Sequence, residues 1–147
     1  MVCARHDGAF SMDEITNWIT PLYAGLLGLL LIVLAFNVSR HRVGLKISLG
    51  DSDHPGLQRA IRAHANLTEN APVGLILLAA VEAQGFSVPV IHILGILLVL
   101  GRALHGFGLS RNSGTSVGRA GGILLTWIMI LLSSLLAIFS VISSARF

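Results

Sequence analysis

Two long stretches without a single charged residue, Ile15 to Ser39 and Ala120 to Ala145, constrain this sequence more than anything else in it. Each is long enough to cross a hydrocarbon core of about 30 Å as a helix. In lipid every backbone polar group must find a partner inside the protein, so only helices and closed β-barrels span a bilayer. Barrel strands alternate lipid-facing and lumen-facing residues. No run here alternates that way, and aromatic residues make up only 6% of the chain. The reading is an all-α membrane protein, a four-transmembrane-helix antiparallel bundle. Composition agrees, because 12% of the 147 residues are charged, against roughly a quarter in soluble domains.

The chain reads as a single domain, residues 1–147, with spans at about 15–39, 55–84, 87–109 and 120–145. Met1 to Glu14 lacks the basic start and small-residue cleavage site of a signal peptide, so the first span is read as retained, with Met1 or Met12 as the start. After it, Gly44, Gly50 and the turn sequence DSDHPG (Asp51 to Gly56) make a polar loop. Asp53 or His54 can cap the second helix, with Pro55 in its first turn. That helix ends at Gly85, and SRNSGTSVG (Ser110 to Gly118) links the third span to the fourth. Helices joined by such short loops run antiparallel. Arg40, Arg42 and Lys46 in the first loop, and Arg111 and Arg119 around the third, predict that these loops face the cytoplasm and both termini the other side. The ten Lys and Arg residues form no basic stripe, so lipid, not nucleic acid, is the expected neighbour.

A charge inside a membrane helix costs about 2.5–3.5 kcal/mol at the centre on insertion scales, so each one needs a partner, a cavity or a ligand. On span two, Arg59, Arg62, Asn66 and Glu69 are spaced three, four and three residues apart. At 100° per residue they share a stripe about 80° wide. Arg59 is near enough to the interface to snorkel, but Glu69 lies about 15 Å farther along the helix. His64 and Glu82 project from roughly the opposite side. On span three, Arg102 and His105 sit one turn apart at the same depth as the stripe. Arg102 and Glu69 are expected to form a structural ion pair. Arg62, Asn66 and His105 then line a recess with surplus positive charge, to which Asn37 and Arg40 add donors.

Span four offers an anion site for a separate reason. Its first turn carries free N–H groups and the positive end of the helix dipole, beside Thr115, Ser116 and Arg119. A thiolate or carboxylate would be stabilised there. The plainer alternative is that Ser116 caps the helix and Arg119 follows the basic-inside pattern. No HExxH or CxxC motif occurs, so no metal is expected. His64 and His105 are the pair that would have to hold a haem, and their different faces weigh against it. Cys3 has no second cysteine to pair with. Gly25 and Gly28 on span one, and Gly121 and Gly122 on span four, would permit close helix approach.

Together, RAIRAHANLTENAP (Arg59 to Pro72) and GRALHGFGLSR (Gly101 to Arg111) resemble the MAPEG family, membrane-associated proteins in eicosanoid and glutathione metabolism. The segment GLKISLGDSDHPGLQRAIRAHAN is similar to the bacterial branch, and the likeness runs from Met12 onward. The resemblance implies a four-helix subunit in a homotrimer, with glutathione as co-substrate near the cytoplasmic side between neighbouring subunits. Arg62, Asn66 and Glu69 match family positions that hold glutathione or support its site. His105 matches a glutathione-contacting position of the prostaglandin-synthase-like members, Arg119 the arginine that stabilises the reactive thiolate, and Arg40 a donor at the end of the first helix. Two positions depart from that pattern. Ala65 stands where those members have arginine and Leu109 where they have tyrosine, and Tyr23, the only tyrosine, is far along span one.

The resulting expectation is a glutathione-dependent transferase or peroxidase for lipophilic electrophiles. Arg119 is its catalytic residue, and Arg40, Arg62, Asn66, Glu69, His105 and Ser116 bind glutathione. A doubly anionic glutathione thiolate suits a site where arginines outnumber Glu69. Two alternatives stand beside it. One is a non-catalytic binding or transport protein that uses Glu69, and the other is a scaffold whose site has degenerated through Ala65 and Leu109.

Overall fold

The computed structural model describes residues 18–111 and 116–144. Cys3 and Thr115 lie outside them, and so does the side chain of Arg111. The described residues form four helices, α1 (Thr20–Leu45), α2 (Pro55–Ala83), α3 (Val88–Arg111) and α4 (Val117–Ser144). This is the expected all-α helical bundle.

Helix α1 runs past the expected end near residue 39, through Arg40 and Arg42, to Leu45. Cations near a helix C-terminus complement its dipole, so these basic residues prolong the helix. It stops at Lys46, which adopts a left-handed φ of 57°. There the Lys46 N–H bonds the Val43 carbonyl at 3.3 Å and the Ile47 N–H bonds that of Arg42 at 3.1 Å. Of the two candidate caps for α2, His54 does the work, its Nδ1 accepting the Leu57 N–H at 3.4 Å. Asp53 sits instead in the turn at φ 57°. Gly85, at φ 79°, closes the far end of α2.

Helix α3 is the centre of the bundle. It packs most extensively on α4 and also on α2 and α1, whereas α1 and α4 share no contact among the described residues. Leu27 and Leu34 of α1, Leu67 and Leu78 of α2, Ile91, Leu94 and Leu98 of α3 and Met129 of α4 form the core. Helices α1, α3 and α4 are long and apolar enough to cross a membrane. Helix α2 is as long, at 29 residues, but Arg59, Arg62 and Glu69 make its first half too polar for that criterion. Its small apolar stripe (Leu57, Ala60, Ala63, Leu67, Ala71, Gly74, Leu78, Val81) is buried. Outward-facing residues such as Leu29, Phe36 and Trp127 are more than 60% exposed, as expected of surfaces whose solvent is lipid.

Polar ties fix α1 at the end away from the basic loop. The Glu82 carboxylate accepts the N–H groups of Ile19 and of Thr20, the latter at 2.9 Å, and so caps a helix that has no side-chain cap of its own. One turn on, the Tyr23 hydroxyl lies 2.7 Å from His92 Nδ1 and 3.2 Å from the His92 carbonyl. The Tyr23 ring occupies the space that a Cβ on Gly95 would need.

Candidate functional site

The polar stripe of α2 lies beside its buried stripe, and the two edges of the polar stripe meet different surroundings. Asn66 is on the inner edge and half-buried, while Arg62 and Glu69, about 60° or less farther round the helix, are exposed. Arg102, 2% exposed, therefore reaches Asn66 and not Glu69. Its Nη1 donates to Asn66 Oδ1 at 2.6 Å, Nε to Thr126 Oγ1 at 2.8 Å and Nη2 to the Gly122 carbonyl at 3.3 Å. The expected Arg102–Glu69 ion pair is not formed among the described residues. Helix rotation turns the carboxylate outward, and three neutral acceptors satisfy the guanidinium.

The α3–α4 crossing is unusually close. A Cβ on Gly122 would stand 2.5 Å from the His105 amide nitrogen and 2.6 Å from the Gly101 carbonyl. One turn nearer the basic end, Gly108 lets α3 lie against the start of α4, where a Cβ would meet the Arg119 nitrogen at 2.9 Å. This contact brings His105 and Arg119 together. His105, 3% exposed, places Nδ1 3.1 Å from the Arg119 carbonyl. A carbonyl only accepts, so Nδ1 carries the proton, and in the neutral ring Nε2 is the free acceptor. Ser116 caps α4, its Oγ accepting the Arg119 N–H at 3.2 Å. The cap role weighed for Ser116 is thus realised, and it still leaves the hydroxyl proton to donate.

The remaining predicted residues stand apart from this crossing. Arg62 lines a recess of about 280 Å³ with Pro55, Gln58, Arg59 and Leu109, between the start of α2 and the end of α3. Arg59 is half-buried in that wall, and its Nε has no hydrogen-bond partner. Arg40 lines a different cleft, about 500 Å³, between α1 and α3, with apolar walls (Val33, Phe36, Phe107) and a polar rim (Asn37, His41, Ser110). Within the chain Arg40 and Arg119 flank opposite sides of α3, since Gly106 meets Leu34 of α1 and Gly108 meets α4. Glu69 has no hydrogen-bond or ion-pair partner among the described residues. No group of three or more His, Cys, Asp or Glu that could hold a metal gathers among them.

Thr126 is a member of this network that the sequence reading did not single out. Its signal was weak, a lone threonine among apolar residues at a position where α4 faces α3. Leu109, which stands where the resemblance expects tyrosine, is buried at 8% exposure and forms part of the recess wall. The exposed apolar residues at this end of α3 are Leu104 and Phe107.

Comparison with known proteins gives two findings. The MAPEG family model matches residues 20–139. The inner membrane protein YecN of Escherichia coli, in two strains with the same values, is 35% identical over 114 residues, covering 78% of this chain and 86% of the relative.

Proposed function

The chain belongs to the MAPEG family, and from that premise we propose that it is a membrane-bound glutathione-dependent transferase or peroxidase acting on lipophilic electrophiles, resident in a bacterial inner membrane with its basic loops cytoplasmic. The observation that carries this reading is the start of α4, packed directly on α3 so that the main-chain carbonyl of Arg119 accepts a hydrogen bond from His105 Nδ1. A thiol with a pKa of about 8.5 is mostly protonated at neutral pH, and an arginine beside a helix N-terminus raises its thiolate fraction. Arg119 is the residue assigned to that task. Ser116, which keeps a hydroxyl donor, and His105, which offers Nε2, stand beside it.

Binding falls to the other groups. Arg62, with Arg59 in the same recess, suits the peptide's carboxylates, Asn66 its carbonyl or carboxylate oxygens, and Glu69 its ammonium. Arg40 lies on the other flank of α3 from Arg119, so one glutathione that meets both binds between neighbouring copies. That arrangement agrees with a homotrimer, the subunit number coming from the family resemblance. Once formed, the thiolate attacks the electrophilic carbon of a substrate arriving from lipid. A C–S bond forms, and the leaving group departs with its electron pair. With a peroxide, the thiolate takes the terminal oxygen as the O–O bond breaks, the alkoxide gains a proton and leaves as the alcohol, and the thiol of a second glutathione displaces water from the sulfenic acid to give the disulfide.

The test is glutathione binding and conjugation of an aryl halide by the purified protein in detergent. Arg119→Ala is expected to lower kcat by about 10²-fold, the effect of losing one donor to a developing anion. Unchanged turnover in that variant, or no binding at millimolar glutathione, defeats the reading. Because Glu69 is free of Arg102, a second reading keeps some support, a proton-coupled exporter of cationic amphiphiles. Efflux from proteoliposomes that Glu69→Gln abolishes would favour it.

A further inference from the structure

We propose that Thr126 is a positioning residue for the glutathione site, acting through Arg102 to fix which side of the Asn66 amide faces a ligand; the role rests on the functional reading above. Thr126 is completely buried. Its hydroxyl donates to the Gly122 carbonyl at 3.0 Å, which aims a lone pair at Arg102 Nε, 2.8 Å away. The guanidinium is thereby held with Nη1 on Asn66 Oδ1 at 2.6 Å. A guanidinium has donors only, so the amide must turn its oxygen inward and keep its two Nδ2 hydrogens for a ligand. Asn66 thus reads an acceptor, a carboxylate or peptide carbonyl, and rejects a donor.

The relay depends on one oxygen. Thr126 Oγ1 is the acceptor of Nε, and every acceptor of the guanidinium is neutral, so no ion pair would hold Arg102 in place if that oxygen were lost. Nε, buried without a partner, would re-aim the guanidinium, and the Asn66 amide would be free to rotate. Lysine at residue 102 could not reach α2 and α4 together, because its ammonium is a single point on a flexible stem.

The experiment uses the full chain in detergent with glutathione as the probe. Thr126→Val is expected to weaken glutathione affinity about tenfold or more, the effect of losing a hydrogen bond to a charged group. Turnover at saturating glutathione stays within about twofold, since the change acts on binding. Thr126→Ser restores affinity, Arg102→Lys reproduces the loss, and Thr126→Val has no further effect in an Asn66→Ala background. Nitrogen NMR supplies a ligand-free readout: the Arg102 Nε–H exchanges slowly in the wild type and Thr126→Ser, and fast in Thr126→Val. Wild-type affinity in Thr126→Val or in Arg102→Lys overturns the proposal, and Arg102→Lys decides alone if Thr126→Val does not fold. Equal loss in the Val and Ser variants also overturns it, because packing would then be the cause. A wild type that binds no glutathione defeats the functional reading and this role with it; a protected Arg102 Nε–H would then show that the relay itself is sound.

Discussion

Helices α1 and α3 are both apolar enough to span a bilayer, yet the bundle uses them in opposite ways. Helix α3 packs against α4, α2 and α1, while α1 touches only α2 and α3 among the described residues and leaves more of its surface outside. Hydropathy does not separate them. Their glycines do: a Cβ on Gly25 or Gly28 of α1 would meet nothing within 4 Å, whereas Gly95 and Gly101 of α3 are filled by Tyr23 and by the α4 backbone and Thr126. Hydropathy reports which solvent a helix tolerates. Small residues where two backbones converge report which helix it packs against.

The sharpest way to break that contrast is one methyl group on each side of it. Gly122→Ala drives a Cβ into α3 backbone that cannot move aside alone, and should destabilise the bundle by about 2–3 kcal/mol. Gly28→Ala, in open space on α1, should be neutral or stabilising by up to about 1 kcal/mol, since alanine is the better helix former. Detergent unfolding curves for the pair decide it, and equal effects would mean that the α3–α4 approach is looser than described.

Smaller effects test how α1 is held. Glu82→Ala removes the cap on the first amides of α1 and should cost about 1–2 kcal/mol, while Glu69→Ala, on the exposed edge of the same helix, should stay within about 0.5 kcal/mol. Two glutamates in one helix would then differ by their partners alone. Tyr23→Phe, which deletes the hydroxyl beside His92, should cost about 1 kcal/mol. Hydrogen exchange of the α1 amides near Tyr23 should quicken in Tyr23→Phe and in Glu82→Ala. Unchanged exchange in both would show that the apolar contacts of Leu27 and Leu34 hold α1 without them.

Several parts of the site were legible in the sequence for local reasons. The Ser116 cap, the His54 cap before Pro55, and the stripe from Arg59 to Glu69 all follow from contacts within one or two turns of a single helix. The fate of Arg102 was not legible. Asn66 and Glu69 are three residues apart on one stripe, and which of them meets Arg102 depends on a rotation of about 60° of α2 against α3. Thr126 was missed for the same reason: it acts only because α4 lies close enough to α3 for its hydroxyl to reach a side chain across the crossing.

By itself the sequence determined the membrane as solvent, the approximate helices and the polar residues that a bilayer would not tolerate without cause, because charge-free length, helical periodicity and turn chemistry are properties of neighbouring residues. Only the tertiary structure decided which charges are buried, that Arg102 is satisfied by neutral acceptors, and that Arg40 and Arg119 lie on opposite flanks of α3. Those outcomes depend on helix rotation and approach, set where Gly101, Gly122 and Gly108 bring residues far apart in sequence within a few ångströms.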